Sequence, residues 1–123
     1  MFFIKIKLKG YLKNINQNTT EIIDVNAIKN KNTINYKIND ILHKITIKNN
    51  KLFLSRNNNE YSYELIFELN KETNTEYYIK ELNTSIDIRI KTTKLLIKDN
   101  KIEINYTVID SDEKYLYLIE MSD

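Results

Sequence analysis

A chain of 123 residues with a formal net charge of +2 fits one domain, and folding buries roughly two-thirds of the surface that its unfolded form exposes. Cysteine is absent, which excludes disulfides and thiolate metal sites and suits a reducing compartment. Lysines and arginines (19) nearly balance aspartates and glutamates (17), so the composition gives little support to a nucleic-acid footprint, which wants clustered basic residues.

Ile, Lys and Asn dominate, whereas Gly occurs once and Pro and Trp not at all, the imprint of A/T-rich codons. Asn must therefore serve where a chain would otherwise use Gly at positive φ, because it visits the left-handed region more easily than other side chains do. Asn clusters mark the turns.

Period-two alternation runs from Phe3 to Met121 and is clearest where Ile86, Ile88 and Ile90 interleave with Asp87, Arg89 and Lys91. Such alternation places apolar side chains on one face of a strand, so the chain reads as all-β. The first stretch, Phe2 to Lys13, is interrupted at every second position by Lys5, Lys7 and Lys9. A secretory signal needs about seven continuous apolar residues, so this is a strand. No run approaches the ~18 residues of a membrane helix. The expectation is a soluble cytoplasmic protein that contacts no membrane.

Further strands are expected from Thr20 to Ile28, Thr33 to Ile38, His43 to Lys48, and Lys51 to Arg56. Others run from Tyr61 to Leu69, Thr75 to Leu82, Ser85 to Lys91, Thr93 to Lys98, Lys101 to Ile109, and Lys114 to Met121. Alternation is short from Asn14 to Ile41, and a short helical turn fits around Ile38 to Leu42. Short, evenly spaced strands with polar turns indicate a barrel or sandwich. A closed antiparallel barrel of about eight to ten strands hides the edges that so many Ile-rich strands would otherwise expose.

Tight turns fix register. Asn49 and Asn50 form a two-residue hairpin loop of type I′, which pairs Ile47 with Leu52, Ile45 with Leu54, and His43 with Arg56. A four-residue loop from Asn57 to Glu60 then keeps the apolar face in phase and pairs Arg56 with Tyr61, Leu54 with Tyr63, and Leu52 with Leu65. Asp99 and Asn100 turn a second hairpin that pairs Ile97 with Ile102, Leu95 with Ile104, and Thr93 with Tyr106. The loop from Asn70 to Asn74 permits several registers.

The first of these sheets carries one polar row, His43, Arg56 and Tyr61. An Arg at one end of an apolar face, beside an imidazole and a phenol, could bind a carboxylate or phosphate at a barrel mouth. The competing structural reading packs the Arg stem on Leu54 and stacks its guanidinium on Tyr61. Tyr36, Tyr63, Tyr78, Tyr106, Tyr115 and Tyr117 fall on β-patterned stretches, where core packing explains them better than an RNA-stacking platform does. Asp110, Asp112 and Glu113 near Ser111 match no calcium-loop spacing and read as a solvated turn. Glu64 and Glu68 share the polar side of one strand. No nucleophile is placed with a base, and a single Gly excludes a phosphate-cradling loop. No enzyme activity, cofactor or metal site is expected.

The order of elements from Leu52 to Met121 carries a resemblance. Leu-Phe-Leu-Ser-Arg at Leu52 to Arg56 is followed by Glu-Leu-Ile-Phe-Glu at Glu64 to Glu68, and then by an aromatic strand around Tyr77 and Tyr78. Ile-Asp-Ile-Arg-Ile-Lys-Thr at Ile86 to Thr92 and Ile-Glu-Ile-Asn-Tyr at Ile102 to Tyr106 complete the series. This resembles the YwiB-like family of small bacterial proteins, with Arg56, Thr92 and Tyr106 matching that family's Arg, Thr and Tyr. The chain departs from the family at Asn83, Thr84 and Ser85, where the family usually has Gly, and at Asp24 to Ala27, which replaces a Thr-x-Gly stretch. The resemblance implies a calycin-like (lipocalin-like) barrel. By analogy with other such barrels it also implies a small apolar or anionic ligand, with Tyr106 joining His43, Arg56 and Tyr61 at its site.

Two other roles follow from the residues. Ile22, Ile66, Leu96 and Ile109 lie out of phase with the main apolar rows and suit a homodimer or protein-interaction face. Lys5, Lys7, Lys9 and Lys13 form the face that nucleic acid would need, the weakest reading of the three, and no nucleic-acid partner is expected.

Overall fold

The computed structural model describes residues 3–123, so Phe2, the first residue of the first expected strand, lies outside the described part. The chain forms ten antiparallel strands in a meander: β1 (Ile4–Asn14), β2 (Thr19–Asn30), β3 (Thr33–Ile38), β4 (Ile41–Lys48) and β5 (Lys51–Asn57), then β6 (Tyr61–Phe67), β7 (Glu72–Ile79), β8 (Thr84–Lys98), β9 (Lys101–Val108) and β10 (Glu113–Ser122). Each strand pairs with its sequence neighbours, and β1 pairs with β10 to close the barrel. Closure removes the two edges of the sheet.

Alternation decides which side chains face inward. Leu8, Ile45, Leu52, Phe67, Ile90, Ile102, Ile104 and Ile119 are buried completely, and they alternate with exposed or half-buried side chains along the same strands. Side chains therefore fill most of the barrel. Full burial of each such residue contributes about 1.5–3 kcal/mol.

The turns follow the chemistry of Asn. Among the described residues, left-handed φ occurs at nine non-Gly residues, six of them Asn: Asn18, Asn39, Asn49, Asn50, Asn70 and Asn83. Asn49 and Asn50, with φ of 53° and 62°, close the β4–β5 hairpin in the expected register. The Asp99–Asn100 turn likewise pairs Ile97 with Ile102 and Leu95 with Ile104. No helical turn forms between Ile38 and Leu42. Asn39 and Asp40 both take positive φ, 50° and 65°, and make a two-residue hairpin that pairs Ile38 with Ile41.

Three expectations are corrected. The stretches beginning at Ser85 and Thr93 are one strand, β8, which changes register at a bulge between Thr92 and Lys94, so Tyr106 pairs with Thr92 and not with Thr93. The strand expected from Thr75 to Leu82 runs from Glu72 to Ile79. The β5–β6 ladder ends at the pair Asn57 with Ser62, so the four residues between its last partners are Asn58 to Tyr61 and not Asn57 to Glu60, because the Asn58 side chain accepts the N–H groups of Glu60 and Tyr61, both at 2.9 Å. The register moves by two, so the apolar face stays in phase while the partners change: Arg56 pairs with Tyr63, Leu54 with Leu65, and Leu52 with Phe67.

Gly10, the single glycine, is required by close approach. A Cβ there would lie 1.8 Å from the Leu118 carbonyl oxygen of β10. At this point β1 and β10 meet more closely than any side chain allows. The barrel also has two short seams. β2 and β3 share four residue pairs, and β6 and β7 share two. At the second seam the hydroxyls of Thr73 and Thr75 donate to the carbonyls of Ile66 and Glu64, replacing the missing ladder bonds.

Candidate functional site

The register places one polar row inside the barrel: Tyr36 on β3, His43 on β4, Arg56 on β5 and Tyr63 on β6. Tyr63 stands where the sequence pointed to Tyr61. Tyr61 pairs with Ile79 further along β6 and stacks on Tyr63 and Tyr77, with ring centroids 5.7 and 5.3 Å away. It belongs to an aromatic rim beside the row.

Arg56 donates from Nη1 to the Tyr63 hydroxyl at 3.0 Å. Among the described residues it makes no ion pair, and its Nε is buried without a partner. A half-buried guanidinium with five N–H donors and one phenol to receive them is unusual, because buried charges are normally paired. Burial disfavours its charge, and the phenolates of Tyr63, Tyr117, Tyr106 and Tyr36 would favour it strongly enough to raise its pKa overall. Those phenolates exist only in alkali. At neutral pH the charge survives because an arginine is so strongly basic, and the neutral phenols offer dipoles alone.

His43 is 4% exposed and stacks on Tyr36, with centroids 4.5 Å apart and rings 8° from parallel. Neither ring nitrogen has a partner. Burial, reinforced by the positive charge of Arg56, lowers its pKa to about 4, so the imidazole is neutral at physiological pH. His43 thus contributes a flat apolar wall and no charge. Behind it Tyr36 shares a 2.7 Å hydroxyl–hydroxyl hydrogen bond with Tyr117 in the core.

Arg56 borders a vestibule of about 180 Å³ that opens at one end of the barrel, with Leu12, Tyr63, Tyr77, Ile88 and Val108 around it. Tyr106 and Tyr115 complete the wall, stacked at 5.2 Å and 12°. Tyr106 leans on Phe67 at 4.9 Å, and burial pushes its hydroxyl pKa up, so the phenol is neutral and can donate. Asn14 fixes the rim by donating to the Glu113 carboxylate at 2.8 Å and to the Tyr115 hydroxyl at 3.2 Å, while Gln17 N–H donates back to its side-chain oxygen.

The structure therefore brings Arg56, Tyr106 and Tyr63 to one cavity, whereas His43, the ladder partner of Arg56, and Tyr61 lie outside its lining. In the sequence Tyr63 and Tyr115 read only as half-buried tyrosines; the two-residue register change hides the pairing of Tyr63 with Arg56, and barrel closure brings Tyr115 on β10 to the same vestibule. Thr92, buried with an unpartnered hydroxyl, pairs with Tyr106. Asp110 forms an exposed ion pair with Arg89 at 2.8 Å, and no group of three metal-ligating side chains occurs among the described residues.

This architecture has a solved counterpart. The barrel is similar to the ywiB protein from Bacillus subtilis. The two superpose with a TM-score of 0.65 at 11% sequence identity, over 98% of this chain and 90% of that one. No family model and no curated protein matches the sequence. The likeness to ywiB is one of fold.

Proposed function

We propose that this barrel is a non-enzymatic binding protein of the YwiB-like group, taking one small anion with a short apolar body, such as a carboxylate, into the vestibule at Arg56. The observation that carries the reading is the guanidinium itself. It is held on an apolar wall, lacks a carboxylate partner, and faces a cavity lined by neutral phenols. An entering anion supplies the missing acceptor, in surroundings where charge-assisted hydrogen bonds are stronger than in water.

Volume narrows the ligand. Sites for drug-sized molecules are usually about 300–1,000 Å³. A vestibule of about 180 Å³ suits a smaller guest, and the packed core below it leaves no room for a long apolar chain. Outward lysines such as Lys5, Lys7 and Lys9 are unlike the apolar band of a membrane barrel and support a water-soluble protein. A homodimer is less well supported, because Ile22, Ile66 and Leu96 lie on β2, β6 and β8, which do not adjoin.

Calorimetric titration with acetate, benzoate and inorganic phosphate at constant ionic strength tests the reading. Saturable binding of a carboxylate, lost in Arg56→Met, supports it. Equal heats for wild type and variant would overturn it.

A further inference from the structure

A second concavity lies on the outer wall. It has a volume of about 830 Å³ and crosses β1 to β5. The register builds it from two neighbouring rows of outward side chains. One row runs Lys5, Ile28, Asn35, Lys44 and Ser55 through consecutive ladder pairs. The other holds Lys7 with Asn26 on one side, and Lys37, Leu42 and Asn57 on the other. Between Asn26 and Lys37 the ladder is absent, because β2 and β3 stop pairing at Ala27 and Tyr36. The sheet opens there, and the groove follows.

Its chemistry is lopsided. Lys5, Lys7, Lys37 and Lys44 all line it, against one carboxylate, Asp123. Lys37 has only a solvent-exposed contact with Asp40 at 3.6 Å, and the other three form no ion pair among the described residues. Exposed apolar side chains stand among the lysines, Ile28 (45% exposed) on β2 and Leu42 (56%) beside Lys44 on β4, with Asn26 and Asn35 between them. Exposed apolar side chains framed by unpaired charges of one sign mark an interaction surface.

Spacing identifies the occupant. Neighbouring strands lie about 4.8 Å apart, so Lys5 on β1 and Lys44 on β4 stand about 14 Å apart across the row. An extended peptide rises about 3.3 Å per residue, so side chains four positions apart, on one face, are about 13 Å apart. We propose that this groove binds an extended acidic peptide with carboxylates at positions i and i+4 and an apolar residue at i+2. The carboxylates meet the lysine pairs Lys5/Lys7 and Lys37/Lys44, and the apolar residue between them lies on Ile28. No exposed tyrosine lines the groove, so the stacking surface that single-stranded nucleic acid needs is missing.

The test is fluorescence anisotropy with a labelled, end-blocked peptide of pattern Glu-Ser-Ile-Ser-Glu. Saturable binding is expected, at least tenfold weaker when Gln replaces both Glu, and at least tenfold weaker for Lys5→Glu combined with Lys44→Glu. Both lysines are exposed, so the variant keeps its fold, and circular dichroism verifies this. Arg56→Met leaves this binding unchanged, which separates the groove from the vestibule. Equal affinity for the Gln peptide overturns the proposal. So does absence of saturation, or displacement of the peptide by oligouridylate or decanoate but not by an excess of unlabelled peptide.

Discussion

Arg56 and Tyr63 face each other across the β5–β6 ladder, and the 3.0 Å bond from Nη1 to the phenol is the one side-chain hydrogen bond the guanidinium makes among the described residues. The pair sits where a barrel would ordinarily place an Ile or Leu. A charge desolvated for one neutral acceptor costs stability, which is the expected mark of a residue kept for binding.

Replacing Arg56 with Met should therefore stabilise the protein in the absence of ligand. Met retains the stem that packs on the apolar wall and removes the charge. The gain should be about 1 kcal/mol, read from urea midpoints at unchanged m-value. A loss of more than about 1 kcal/mol would show that Arg56 is a structural residue.

Acid should weaken the fold through His43. Its folded pKa of about 4 lies below the ordinary value of 6.5, so the unfolded chain binds the proton first. The stability contributed by the neutral ring is full above about pH 6.5 and is lost as the pH falls to about 4, by about 3 kcal/mol. His43→Phe keeps the stack on Tyr36 and should remove that part of the acid dependence. Identical slopes between pH 4.5 and 6.5 in the two proteins would refute this assignment.

Tyr36 and Tyr117 test satisfaction in the core. Either Tyr36→Phe or Tyr117→Phe leaves the other hydroxyl buried without its partner, at a cost of about 1–3 kcal/mol. The double variant should cost less than the two single ones together, because no orphaned hydroxyl remains. Strict additivity in denaturant titrations would mean the 2.7 Å contact is not a coupled pair.

Gly10→Ala should destabilise by about 3 kcal/mol, since the new methyl meets the Leu118 carbonyl and the β1–β10 closure must spread. The change should appear as faster amide exchange along β1 and β10. An unchanged thermal midpoint would contradict the close approach.

Legibility followed turn chemistry. Two-residue loops at Asn49–Asn50 and Asp99–Asn100 leave one register that keeps the apolar face inward, so the partners of Ile45, Ile47, Leu95 and Ile97 could be read directly. The β5–β6 loop preserves that face in registers two residues apart, and face alone could not choose between Tyr61 and Tyr63. The Asn58 side chain made the choice. Alternation also breaks at Thr92 and Thr93, where a strand end and a bulge look alike. Gly10 also carries a signal: in a chain whose turns are built from Asn, a lone Gly has another task. The outer groove was hidden because it depends on where the β2–β3 ladder stops.

The chain has two arginines, Arg56 and Arg89, and Arg89 is exposed and paired with Asp110. Nuclear magnetic resonance of the arginine Nε–H groups during titration with benzoate therefore reads the central claim directly. The account predicts a solvent-protected Arg56 signal that shifts saturably while Arg89 stays in place. An Arg56 signal that never moves, or that moves linearly together with Arg89, would contradict it.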